Sequence, residues 1–220
     1  MNDLSKLINY KFSTPQLLDL ALTHRSYSKD NNERMEFLGD SILNNIISIE
    51  IYRRFPKTSE GDLSRLRASL VKGETLAKIA VEYSIGDYIK LGTGELKSGG
   101  FRRSSILADA LEAIIGAVFL DSDYKVASKF VLSIYSSHLD NCVPSDDLKD
   151  PKTRLQEYLQ ANGQSIPDYD VISITGKSHQ QQFAVECFIH DLDKKFAGDG
   201  SSRRKAEQQA ATTALKYLNR

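Results

Sequence analysis

Residues 106–121 of this chain, ILADALEAIIGAVFLD, read as a helix with no solvated face. A helix that is apolar all round is a buried helix. Two positions break the run, Asp109 and Glu112, spaced i and i+3 and therefore on one side. A solvated face would hold more than two polar residues in a dozen. An ionised carboxylate taken out of water needs a partner charge or a metal, so the fold has to supply one or the other.

A second stretch poses the same problem. In NERMEFLGDSIL, residues 32–43, the apolar Met35, Phe37, Leu38, Ile42 and Leu43 share a helix with Glu33, Glu36 and Asp40. At about 100° per residue the three acids fall within roughly a 60° arc. Like charges so placed cost a few tenths of a kcal/mol per pair, and far more if the line is buried. Arg34 lies off that line. By itself the stretch reads equally as a solvated acidic face. Taken together, two helices carry stacked acids with no cation on the same line. The economical reading is that the lines face each other across divalent metal, with a structural ion-pair network as the alternative. All-oxygen donors suit Mg²⁺ or Mn²⁺ rather than zinc, and carboxylate-held metals hydrolyse phosphodiesters.

With 220 residues, 40% of them hydrophobic, the chain can build one or two domains around a real core. Cys142 and Cys187 lie far apart in no ligand spacing, which argues against a disulfide framework or a zinc site and fits a reducing compartment. The first residues lack a basic stretch followed by an apolar one, and the longest apolar run is too short to span a bilayer. The expectation is a soluble, cytoplasmic protein with no membrane partner and no small-molecule cofactor. Net charge is zero, with −2 over residues 1–150 and +2 over 151–220, so bulk charge announces no partner.

The pattern along the chain predicts an α+β protein. Residues 1–142 read as an all-helical domain, 143–150 as a linker (VPSDDLKD, after Cys142), and 151–220 as a small α-β-β-β-α domain. Within the first part, Pro56 closes one helix, and residues 60–83 break near Gly73. Helices are expected over 104–120 and 125–139, separated from the earlier ones by a glycine-rich loop, LGTGELKSGGFRRS. In the second part, KTRLQEYLQANG is amphipathic. YDVISITG and QQFAVECFIH are strands, KKFAGDG is a strand or turn, and SSRRKAEQQAATTALKYL is a helix.

Arg203, Arg204 and Lys205 stand at the start of that last helix, where cations oppose the helix dipole. An external phosphate at the free N–H groups would reverse the sign. Against this stands a plain solvated cap by Ser201 or Ser202. Gln156, Glu157 and the loop residue His179 could meet 2′-hydroxyls, though ordinary exposed polar residues read the same way. The glycine-rich loop lacks the spacing of a phosphate-binding P-loop. Its Arg102 and Arg103 read equally as RNA neighbours or as plain surface. His24 reads as a packed or hydrogen-bonded helix residue rather than a base.

These motifs together resemble a known family. NERMEFLGDSIL resembles the signature of bacterial ribonuclease III, with Met35 where Leu is usual, and ILADALEAIIGAVFLD resembles its second acidic helix. EGDLSRLRASLV and LGTGELKSGGFRRSSILADALEA are similar too. DPKTRLQEYLQ through GDGSSRRKAEQQAATTAL resembles a double-stranded RNA-binding domain. The resemblance implies a homodimeric, Mg²⁺-dependent endoribonuclease for double-stranded RNA, with Mn²⁺ as a substitute. Its products would carry 5′-phosphate and 3′-hydroxyl ends with short 3′ overhangs. Ribosomal RNA precursors, messenger RNA and small RNAs are the family's substrates.

By matching position, Glu36, Asp40, Asp109 and Glu112 would be the metal carboxylates, with Asp40 and Glu112 carrying catalysis. Glu33 and Glu60 would sit at the edge of the cleavage site. Phe37, which spacing alone makes a core residue, would lie at the dimer interface. Thr153, Gln156, Glu157 and His179 would face minor grooves, and Arg203, Arg204 and Lys205 the phosphates between them. One departure is the SHQQQF loop, which carries less positive charge than some relatives. On this reading the metal-free protein has raised carboxylate pKa values and gains stability with Mg²⁺. A non-cutting RNA-binding regulator would leave five aligned acids unexplained. A small-molecule metallophosphatase would leave the C-terminal basic cluster unexplained.

Overall fold

The structure is a computed structural model that describes residues 2–144, 149–177 and 180–219. It divides into two compact units, residues 1–144 and 145–220. Residues 145–148, inside the segment read as a linker, lie outside the described residues, as does His179. No helix among the described residues is long and apolar enough to cross a membrane.

The first unit is helical: α1 (Asn2–Leu7), α2 (Pro15–Ala21), α3 (Glu33–Arg54), α4 (Glu60–Val71), α5 (Gly73–Glu82), α6 (Thr93–Lys97), α7 (Ser104–Asp121), α8 (Tyr124–Ile134) and α9 (Ser136–Asp140). Its centre is α7. Ile106, Leu107, Ala108, Ala110, Leu111, Ala113, Ile114, Ile115, Ala117 and Val118 are all buried, so apolar neighbours surround the helix on every side. α3 lies along it and buries Met35, Ile42, Leu43, Ile46, Ile47 and Ile51, while α2, α5 and α8 complete the jacket. Ser59 caps α4 and Asp123 caps α8, each side chain accepting from a backbone N–H one turn on.

The break expected near Gly73 is there, at Lys72, whose extended backbone (ψ 149°) ends α4 and starts α5. Two local expectations change. The helix expected over 125–139 is two, α8 and α9, with a turn at the wholly buried Tyr135 between them. The glycine-rich segment is more than a loop, since it folds the short α6 and a 3₁₀ turn at Gly100–Arg102.

The second unit runs α10 (Pro151–Ala161), β1 (Asp168–Thr175), β2 (Gln182–Ile189), β3 (Lys194–Gly200) and α11 (Arg203–Tyr217). The α+β class and the α-β-β-β-α order are those expected from the sequence. The sheet is antiparallel in the order β1-β2-β3, with a bulge in β1 between Val171 and Ser173. Both helices cover one face, over Leu155, Leu159, Cys187, Ile189, Phe196, Ala210, Ala211, Ala214 and Leu215. The alanines of α11 have a reason. The helix lies so close to β3 that a β-carbon on Gly198 would stand 2.2 Å from the Ala210 nitrogen.

Candidate metal centre and RNA face

The acidic site exists because α3 and α7 touch backbone to backbone. A β-carbon built on Gly39 would fall 1.8 Å from the Glu112 carbonyl oxygen, and one on Gly116 would fall 2.4 Å from that of Met35. Only hydrogen fits at both positions. Glu36 and Asp40 flank Gly39 on α3, while Asp109 and Glu112 precede Gly116 on α7, so the crossing forces the two acid lines together. Oxygens of Glu36, Asp109 and Glu112 lie within 4.8 Å of one another, all three side chains being partly buried.

Electrostatics follow from that placement. Burial, and then the charges of Asp40, Glu36 and Asp109, push the Glu112 carboxyl up to about 8. Burial and the charges of Asp109 and Glu33 raise Glu36, and burial raises Asp109. Asp40 is exposed and stands beside the group. Asn44 donates to its Oδ1 at 2.7 Å, and its charge acts on both Glu112 and Glu36. Glu33 is exposed at the rim and paired to Arg25 at 3.3 Å. Glu60 opens α4, accepts from the Ser64 hydroxyl at 2.8 Å, and stands outside the three-carboxylate group.

The sequence did not place several residues that stand beside the acids. The segment between α2 and α3 brings Arg25 and His24 to the acids, where both lower Asp109 and Arg25 also lowers Glu36, though burial prevails at each. His24 is not a helix residue: it follows an isolated parallel bridge between Thr23 and Lys90, with Nδ1 2.8 Å from the Ser26 hydroxyl. Asn32, 3% exposed, donates from Nδ2 to the Ala21 carbonyl and so ties the start of α3 to the end of α2. Arg103, clamped to Glu95 at 2.9 Å, lines the same cleft of about 470 Å³ as His24, Arg25, Glu36 and Asp109. Arg102 lies instead over the Phe101 ring. No single-helix signal could have found these, because they come from the segment between α2 and α3 and from the residues just before α7.

Phe37 is not in the core. It is 76% exposed, so reading it from spacing alone misplaced it. Next to it in the chain, Met35 and Leu38 line a hollow of about 620 Å³ together with Leu20 and Leu120.

In the second unit, Arg203, Arg204 and Lys205 are exposed at the start of α11. The Ser202 hydroxyl caps that helix by accepting from the Lys205 N–H at 3.3 Å, so capping and an outward cationic cluster coexist. Arg203 is shared, its Nε donating to Glu207 at 2.8 Å. On α10, Gln156 is exposed and Glu157 is paired with Lys149. The Thr153 hydroxyl donates to the capping Asp150 at 2.9 Å.

With this geometry in place, the comparisons are specific. Residues 14–139 match the family model described as ribonuclease-III-like, and residues 151–218 match the double-stranded RNA binding motif. The chain is 56% identical to Ribonuclease 3 of Vibrio atlanticus, over 100% of its own length and 97% of that relative. The crystal structure of the nuclease domain of ribonuclease III from Campylobacter jejuni is similar at a TM-score of 0.62 and 40% identity, over 65% of this chain and 98% of that one. A second structure of that Campylobacter domain, described by flexibility in the region involved in dimer formation, is similar at 0.60 and 43% identity, over 61% and 95%.

Proposed function

The chain belongs to the ribonuclease III family, and from that premise we propose that Glu36, Asp40, Asp109 and Glu112 hold Mg²⁺ at the cleavage centre. The protein is an endoribonuclease acting on double-stranded RNA, with a nuclease domain followed by a double-stranded RNA-binding domain.

One observation carries the metal assignment. Three part-buried carboxylates converge within 4.8 Å, and among the described residues none of them forms a direct ion pair. Such a group is unfavourable alone and favourable around a divalent cation. Oxygen donors alone fit Mg²⁺, with Mn²⁺ as substitute. When bound, the ion supplies a water of lowered pKa and positive charge against the leaving oxygen. The chain's own part is to hold the oxygens in place. Glu36, Asp109 and Glu112 are fixed by the helix crossing, and Asn44 orients Asp40 at the exposed edge. Asp40 and Glu112 carry the catalytic role. Glu33 and Glu60 are edge residues, and Arg25 balances charge at the rim.

The products are 5′-phosphate and 3′-hydroxyl ends with short 3′ overhangs, and the substrates are precursors of ribosomal, messenger and small RNAs in the cytoplasm. The duplex is gripped by Thr153, Gln156, Glu157 and His179 in minor grooves and by Arg203, Arg204 and Lys205 on phosphates, a largely shape-directed mode. The domains run over 1–142 and 151–220, joined through 143–150. The working form is a homodimer. The exposed Phe37 supports this, since a large apolar ring left in water suits a two-fold, self-complementary interface.

A gel assay on a long RNA duplex tests the centre. Wild type in Mg²⁺ gives short duplexes, while Glu112→Gln binds duplex without cutting. Cleavage by Glu112→Gln at the wild-type rate, or binding without any cutting by wild type in both Mg²⁺ and Mn²⁺, would overturn it.

A further inference from the structure

Glu207 sits on the buried side of α11, 8% exposed, between Ala206 and the buried Ala210 and Ala211. A carboxylate in that position is costly unless paired. It is paired twice, from two different elements. Lys152 Nζ, the second residue of α10, donates at 2.6 Å, and Arg203 Nε, the first residue of α11, donates at 2.8 Å. Burial pushes the Glu207 carboxyl up, but the Lys152 and Arg203 hydrogen bonds outweigh it and hold the group below its ordinary value. The Lys152 ammonium also lies 4.2 Å from the centre of the Tyr169 ring on β1, so the bridge is anchored to the sheet.

We propose that Glu207 is a positioning residue for duplex binding, its buried carboxylate locking the start of α10 to the start of α11 and so fixing the distance between the two RNA-facing helix ends. This rests on the reading that those ends, with Thr153 and Gln156 on one and Arg204 and Lys205 on the other, contact the duplex.

Stability alone gives a weak reason for the arrangement, since a well-packed apolar residue often replaces a buried ion pair at no cost. Duplex geometry gives a stronger one. A-form RNA presents its minor groove and the neighbouring phosphates at a fixed spacing. Contact elements held at that spacing beforehand avoid an ordering cost on binding. The hub also divides the basic cluster: Arg203 turns part of its charge inward to Glu207, while Arg204 and Lys205 remain for phosphate.

The test opposes positioning to simple charge. Removing a negative charge beside a polyanion should by electrostatics alone tighten binding. Positioning predicts the reverse for Glu207→Gln in the full chain: duplex Kd without divalent metal, and KM with Mg²⁺, rise about tenfold while kcat holds. Lys152→Met removes the bridge while leaving an unbranched side chain at that position, so it should act similarly, and the double variant should be no worse than either single one. This second variant serves if Glu207→Gln folds poorly, as thermal unfolding would show. An Arg204→Ala/Lys205→Ala control should weaken binding and shrink the salt slope by about two. If the control weakens binding while Glu207→Gln and Lys152→Met bind as well as wild type or better, the positioning role is overturned. A drop in kcat at unchanged KM marks a merely structural effect and overturns it too. If the control itself leaves binding and salt slope unchanged, the RNA-face reading fails and takes the proposal with it.

Discussion

The α-carbon of Gly39 faces the main-chain carbonyl of Glu112 so closely that a β-carbon would stand 1.8 Å from that oxygen. This single approach holds the acids of α3 against those of α7. Backbone cannot retreat as a flexible side chain does, so the helices themselves must part to admit a methyl group.

Gly39→Ala should therefore destabilise the nuclease domain by about 3 kcal/mol or more and abolish cleavage in Mg²⁺. Gly116→Ala should act in the same direction. Thermal unfolding of each variant, paired with the duplex-cleavage assay, checks this. A Gly39→Ala protein with wild-type melting and cleavage would mean that the crossing does not control the site.

The metal-free protein should lose stability as pH rises from about 4.5 to about 8. Glu112 keeps its proton up to about 8 in the folded chain but only to about 4.5 when unfolded. Between those values the folded state binds more protons, so its contribution is complete below 4.5 and gone above 8. The raised Glu36 and Asp109 act with the same sign. Chemical denaturation across that range in EDTA measures the slope, and Glu112→Gln should flatten it.

Mg²⁺ should stabilise the wild-type chain, and more at pH 8 than at pH 5, because protons compete for the same oxygens. At a hundredfold excess over Kd the gain is about 2.7 kcal/mol. Glu112→Gln should lose most of the gain while melting higher than wild type without metal. Equal Mg²⁺ shifts for the two proteins would remove Glu112 from the metal site.

Phe37→Ser should leave each chain folded, because the ring it removes is 76% exposed, yet shift the protein from dimer to monomer in sedimentation velocity. Cleavage of both strands should then fall with the dimer fraction. A fully dimeric Phe37→Ser would place the interface elsewhere.

Much of this was legible in the letters. The period of 3.6 put Glu36 and Asp40 on one line of α3, and Asp109 and Glu112 on one line of α7. Apolar neighbours on every side marked α7 as buried, and the β-branched and aromatic strands between two helices announced a small sheet covered on one face. What stayed hidden came from outside a single element. Phe37 looked like core from spacing alone, but the arc of α3 that meets α7 passes through Gly39 and leaves the ring outside. Arg25, His24 and Arg103 reach the acids from loops whose paths no periodicity describes. Nothing in the sequence marked Glu207, because its partner Lys152 comes from another element.

The sequence by itself determined which carboxylates share a helix face, since that is a matter of rotation per residue. Only the tertiary structure decided that the two faces meet. Their meeting depends on the distance between two helix backbones, and that distance is set by Gly39 and Gly116 lying opposite each other's helix across the core.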